Sequence, residues 1–117
     1  MKLNHLNLTV TDVDAAQAFL STYFGLEDIG RNKHMAFLKD DNGAVIALTS
    51  AVMAKETEVR YPGGFHIGFI QPSEAMVDEI NARLKADGFD VPPPSRMHRS
   101  WTFYMQAPGG FTVEVLC

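Results

Sequence analysis

From Leu3 to Val10 apolar and polar side chains alternate, with Leu6, Leu8 and Val10 on one side and His5, Asn7 and Thr9 on the other. That period of two predicts a strand with one core face and one polar face. Thr11-Asp12-Val13-Asp14 then offers a helix N-cap with an acidic first turn. VDAAQAFLSTYF carries apolar residues at helical spacing up to Gly25, a C-cap residue, so a helix is expected over 13–24. LEDIGR, HMAFLKD and AVIALTS read as three short strands, and the Asn-Gly between the last two marks a tight turn. The first half is therefore read as βαβββ.

The pattern fades over 51–64, where Lys55, Glu56, Glu58 and Arg60 crowd together and Pro62-Gly63-Gly64 follows, which suits a connection between two modules of about 1–50 and 65–117 in one domain. The order then repeats. FHIGFIQ is a strand; Ser73 caps a helix, EAMVDEINARLKAD, that ends at Gly88; FDV, SWTFYMQ and FTVEVLC are strands, the last two joined at Ala107-Pro108-Gly109-Gly110. The stretch VPPPSRMHRS over 91–100 reads as a loop, because three consecutive prolines can join neither a ladder nor a helix.

Composition narrows the classes of function. The 117 residues are 46% hydrophobic and 21% charged, which is ordinary for a globular domain able to bury a core. A net charge of −4 without a Lys/Arg cluster argues against a nucleic-acid partner. No run approaches the roughly 18 apolar residues of a membrane span, and residues 1–10 lack the features of an export signal, so a cytoplasmic protein with no membrane partner is expected. Cys117, the lone cysteine, offers no disulfide framework and no redox motif.

The repeat changes the picture of the polar faces. His5 and His66, about sixty residues apart, open the two halves at matching points, and Glu114 lies in the closing strand of the second half. The matching position in the first half, four residues after Gly43 as Glu114 is four after Gly110, is Ala47. Alternation turns Phe65, Ile67 and Phe69, and likewise Phe111, Val113 and Val115, toward the helices, so His66 and Glu114 face the other way. A buried sheet face rarely carries such groups unpaired, since desolvating a carboxylate costs several kcal/mol. His5, His66 and Glu114 form a two-histidine, one-carboxylate set suited to a divalent metal such as Zn, Mn, Ni, Co or Fe. His34 and His98 have no counterpart in the other half. His34 is expected to be exposed, and His98, beside Arg96 and Arg99, to be solvated or to meet an anionic substrate.

LNHLNLTVTDVDAAQAFLSTYFGLE, FHIGF and TFYMQAPGGFTVEVL, on a duplicated βαβββ order, resemble the vicinal oxygen chelate superfamily, which includes glyoxalase I, fosfomycin-resistance thiol transferases, bleomycin-resistance proteins and extradiol dioxygenases. The resemblance covers essentially the whole chain. It implies an α+β fold in which two βαβββ modules form a cup-shaped, eight-stranded sheet, often as a domain-swapped homodimer. It further implies metal ligands at His5, His66 and Glu114, with Ala47 standing where glyoxalase I has a fourth, carboxylate ligand. Tyr104, ten residues before Glu114 as in the extradiol dioxygenases, would act with Glu114 in catalysis. Asn7, Thr9, Trp101 and His98 would meet a small-molecule substrate. Two functions follow: a metalloenzyme that chelates two neighbouring oxygens of its substrate, or a metal-free module that sequesters a small molecule as bleomycin-resistance proteins do.

Overall fold

The computed structural model describes residues 1–117. Its elements are β1 (His5–Val10), α1 (Val13–Phe24), β2 (Glu27–Arg31), β3 (Met35–Lys39), β4 (Val45–Ser50), β5 (Ile67–Ile70), α2 (Glu74–Ala86), β6 (Ser95–Met97), β7 (Ser100–Gln106) and β8 (Thr112–Leu116). The order is βαβββ twice. The eight strands bond as two four-stranded sheets, β1-β4-β3-β2 and β5-β8-β7-β6. In each sheet the opening strand lies parallel to the closing one and the other neighbours are antiparallel. The chain forms two compact units, Met1–Pro62 with Ala107–Phe111, and Gly63–Gln106 with Thr112–Cys117.

In the first unit the helix begins where Asp12, in extended conformation, accepts the Ala15 N–H, and it ends at Gly25, whose φ of 68° permits the left-handed cap that closes onto Leu20 and Ser21. Val13, Ala16, Phe19 and Leu20 form its buried stripe, which packs on β2, β3 and β4. Leu8, Val10, Leu38 and Leu48 meet it from the sheet, each at most 1% exposed. Burying such a side chain contributes about 1.5–3 kcal/mol. At the β3–β4 turn, Asp40 Oδ1 accepts the N–H groups of Asn42 and Ala44, and Gly43 takes a φ of 82°. The turn Ala107–Phe111 belongs to this unit: the Thr11 N–H donates to the Gly109 carbonyl at 3.0 Å.

In the second unit Ser73 caps α2 by accepting the Met76 N–H, and Val77, Ile80, Asn81 and Leu84 face β7 and β8. Asn81 is satisfied by donating to the Pro92 carbonyl at 2.8 Å. Phe103, Val113 and Val115 are fully buried.

Three expectations are corrected. The segment 89–91 is no strand; Val91 is instead a buried anchor ahead of the prolines. A strand forms inside the expected loop, because the prolines end at 94 and Ser95–Met97 is then free to pair with Ser100–Thr102. The residues joining these strands, His98 and Arg99, have φ of 51° and 71°, the left-handed pair required by a tight hairpin turn. His34 is half-buried rather than exposed, with Nδ1 3.1 Å from Ser50 Oγ.

Gly109 has a φ of 105°, and a Cβ there would stand 3.1 Å from the Val10 side chain and 3.2 Å from Ala16 Cβ. Strained backbone and overpacking each cost about 1–3 kcal/mol, so Gly109→Ala is expected to lose roughly 2–5 kcal/mol in denaturant unfolding. Gly63→Ala, where a Cβ meets nothing within 4 Å, should stay within about 0.5 kcal/mol of wild type.

Candidate metal and ligand site

Strand register decides which side chains meet in the second unit. Gly68 pairs with Glu114 across β5–β8, and Tyr104 pairs with Glu114 across β7–β8. Paired residues share a face, as do residues two apart on one strand. His66, Gly68, Thr102, Tyr104 and Glu114 therefore stand on one side of the sheet, while Phe103, Met105, Val113 and Val115 pack beneath α2. His66 directly precedes β5 and keeps the parity of that strand.

His66 Nε2 lies 3.3 Å from Glu114 Oε2, and His66 Nδ1 lies 3.1 Å from the Gly64 carbonyl oxygen. A carbonyl only accepts, so Nδ1 carries a proton and donates it. In the neutral ring Nε2 is then a bare acceptor, and it faces a carboxylate oxygen, also an acceptor. Such a contact is satisfied by a proton shared between the two atoms or by a metal ion. Donor atoms that share a divalent ion at about 2.0–2.2 Å lie roughly 3 Å apart, so the spacing suits two ligands of one metal. The Gly64 contact orients the ring, as outer hydrogen bonds do for metal-binding histidines in general.

Glu114 is 9% exposed and its other oxygen, Oε1, accepts the Thr102 hydroxyl at 3.0 Å. The ring of Tyr104 stands edge-on to that of His66, with centroids 5.3 Å apart and planes at 87°. Desolvation pushes the Tyr104 hydroxyl above its ordinary 10.0, and the hydrogen bond to Glu114 and the charge on its carboxylate push the same way. Tyr104 thus keeps its proton to higher pH than an ordinary tyrosine. At Gly68 an added Cβ would lie 3.6 Å from Glu114 Oε2, so the absence of a side chain leaves that oxygen uncrowded.

In the first unit β1 and β4 pair Asn7 with Ala47 and Thr9 with Thr49, the register that pairs Gly68 with Glu114 in the second. Ala47 thus occupies the position of Glu114, and His5, two residues before Asn7, that of His66. His5 is exposed, and its Nδ1 is 2.9 Å from Asn4 Oδ1. Asn7 Oδ1 accepts the Thr49 hydroxyl at 3.0 Å, which leaves the amide N–H groups as the free end. Asn7 and Thr9 line a cavity of about 320 Å³ with Tyr61, Arg60, Glu56 and Glu58. Tyr61 donates to the Thr9 carbonyl at 2.6 Å, and burial pushes its hydroxyl up.

The structure joins His66, Glu114 and Tyr104, and separately Asn7 and Thr9. No group of three or more His, Cys, Asp or Glu side chains stands close enough to hold a metal ion. Trp101 and His98 lie apart from the His66–Glu114 pair. The parity of β7 turns Trp101 to the α2 side, where its indole N–H donates to Asp78 at 2.7 Å, and His98 sits exposed in the hairpin turn. Sequence reasoning missed Thr102 and the cavity wall at Glu56–Tyr61. Thr102 could have been found from the parity it shares with Tyr104 and Glu114, and the wall from the charged residues crowded into the connection.

A family model described as the Glyoxalase/Bleomycin resistance protein/Dioxygenase superfamily matches residues 2–115. The chain belongs to this superfamily. Members with solved structures include a possible glyoxalase from Bacillus cereus, 51% identical over 100% of this chain and 99% of its own, with a TM-score of 0.90. A lactoylglutathione lyase from Agrobacterium tumefaciens is 27% identical over 98% of this chain and 92% of its own, with a TM-score of 0.79. A glyoxalase/bleomycin resistance protein/dioxygenase family enzyme from Burkholderia phytofirmans is 18% identical with a TM-score of 0.82, covering 99% of this chain and 98% of its own; it shares the fold. Comparison with curated proteins finds no match. No helix of this superfamily member is long and apolar enough to cross a membrane.

Desolvation is the main cause of the raised Tyr104 pKa and the Glu114 charge adds to it, so Glu114→Gln should bring one tyrosine titration part of the way down toward 10.0. Ultraviolet titration of the phenolate band in wild type, Glu114→Gln and Tyr104→Phe measures this. An unchanged titration in Glu114→Gln would separate Tyr104 from the carboxylate.

Proposed function

We propose that this protein is a metal-dependent enzyme acting on a small molecule that presents two neighbouring oxygens. The observation that carries the reading is the facing pair of acceptors, His66 Nε2 and Glu114 Oε2 at 3.3 Å, with the other imidazole nitrogen tied to a backbone carbonyl. His66, Glu114 and His5 would hold a divalent ion such as Zn, Mn, Ni or Fe. Because His66 and Glu114 meet in one unit and His5 lies in the other, a homodimer in which the partner's module supplies the third ligand suits the family precedent. When bound, the ion would supply Lewis acidity toward the substrate oxygens. Tyr104, held neutral, donates a proton or hydrogen bond at the same face, while Glu114 fixes charge there. Asn7, with Oδ1 engaged by Thr49, offers its N–H groups to an acceptor oxygen, and the Thr9 hydroxyl lies beside it.

The second reading is a metal-free module that sequesters a small molecule or antibiotic in the manner of bleomycin-resistance proteins. It would leave the His66–Glu114 contact as an ion pair of protonated imidazole and carboxylate. Elemental analysis of purified protein after incubation with Zn, Mn, Ni and Fe(II) separates the readings. The enzyme reading expects about one ion per site in wild type and loss of metal in His66→Ala. A wild-type protein that stays metal-free favours the binding module.

Ala47 bears on the reaction. It is 5% exposed at the position matching Glu114, so the first unit offers no carboxylate there. Three protein ligands leave open positions for a bidentate substrate, and the second base that a glyoxalase-type isomerisation uses is missing. Conversion of the methylglyoxal–glutathione adduct by wild type is therefore expected to be negligible, with a gain in Ala47→Glu. Robust wild-type activity would overturn the argument from Ala47, in line with the lactoylglutathione lyase that the chain resembles.

A further inference from the structure

Thr102 is completely buried on β7, on the face that carries Tyr104 and Glu114. Its hydroxyl stands 3.0 Å from Glu114 Oε1 and 2.8 Å from the Val115 carbonyl oxygen. A hydroxyl has one proton, and both of these atoms only accept, so the two contacts share a single donor. The carboxylate bond is charge-assisted and the stronger of the two whenever Glu114 is ionised. It occupies Oε1 and leaves Oε2 as the oxygen facing His66 Nε2. The contact is diagonal across β7–β8, since Thr102 pairs with Leu116 and Tyr104 with Glu114. The β-branched side chain is stiff about χ1, and the Val115 carbonyl gives the hydroxyl a second anchor on the backbone of β8. The Tyr104 side chain also bonds to the Glu114 carboxylate, and Thr102 is the partner placed at Oε1.

We infer that Thr102 is a positioning residue that selects Oε2 of Glu114 as the oxygen presented to His66 and to a cation between them. The inference rests on the reading of Glu114 as a ligand, and it adds a residue that acts through Glu114 without touching metal or substrate. Valine at this position keeps shape and burial while removing the proton, and serine keeps the proton while removing the methyl group. Outer bonds of this kind are commonly worth 10–100-fold in metal affinity.

The test uses full-length Thr102→Val, Thr102→Ser and Glu114→Gln, titrated with Zn²⁺ alone by calorimetry, together with crystal structures of the two Thr102 variants. Thr102→Val is expected to bind Zn²⁺ at least tenfold more weakly, with its Glu114 carboxylate turned out of contact with His66. Thr102→Ser should restore both affinity and carboxylate position. If Glu114→Gln abolishes Zn²⁺ binding while Thr102→Val binds as wild type does, Glu114 remains a ligand and the role of Thr102 is overturned. If wild type itself binds no Zn²⁺, the ligand reading fails, and a Glu114 carboxylate unmoved in crystals of Thr102→Val would overturn the positioning role as well.

Discussion

Everything at the candidate site depends on the parallel pairing of opening and closing strands within each module. In the second unit that pairing sets Gly68 against Glu114, and in the first it sets Asn7 against Ala47. A slip of one residue in β8 would turn Glu114 beneath α2 and bring Val113 or Val115 out to the open face. The buried Val113 and Val115 oppose such a slip, because exposing those side chains would cost about 1.5–3 kcal/mol each. The core of the second unit thus holds the carboxylate where His66 meets it. Gly64 and Thr102 then fix which nitrogen and which oxygen face one another.

The two modules share one frame and differ in chemistry. At equivalent register positions the first has Asn7, Ala47 and Phe37, and the second has Gly68, Glu114 and Tyr104. The second sets the Glu114 carboxylate beside His66. The first pairs Asn7 with Thr49 and opens a cavity bounded by Tyr61 and the charged connection. The repeat is kept in outline while the side chains at matching positions diverge.

Much of this was legible in the sequence, because alternation and capping are local. The N-caps at Asp12 and Ser73, the Gly25 terminus and the strand parity of His66 and Glu114 each follow from a few neighbouring residues. The counting that equated Ala47 with Glu114 agrees with the observed register. What escaped depends on contacts distant in sequence or on unusual backbone. The Ser95–Met97 strand closes through left-handed His98 and Arg99, residues that give no ordinary hairpin signal. The family resemblance implied that Trp101 meets a substrate, and only its partner Asp78 on α2 reveals which way it turns. Thr102 carries no motif, and its meaning comes from a carboxylate twelve residues away.

The central claim is that a metal cation belongs between His66 Nε2 and Glu114 Oε2. Anomalous diffraction from crystals grown with Zn²⁺ or Mn²⁺, recorded on both sides of the metal absorption edge, tests it most directly. The account predicts an anomalous peak within bonding distance of both atoms, with a His5 imidazole as a further ligand. Well-ordered His66 and Glu114 in direct contact, with no anomalous peak between them at saturating metal, would contradict it.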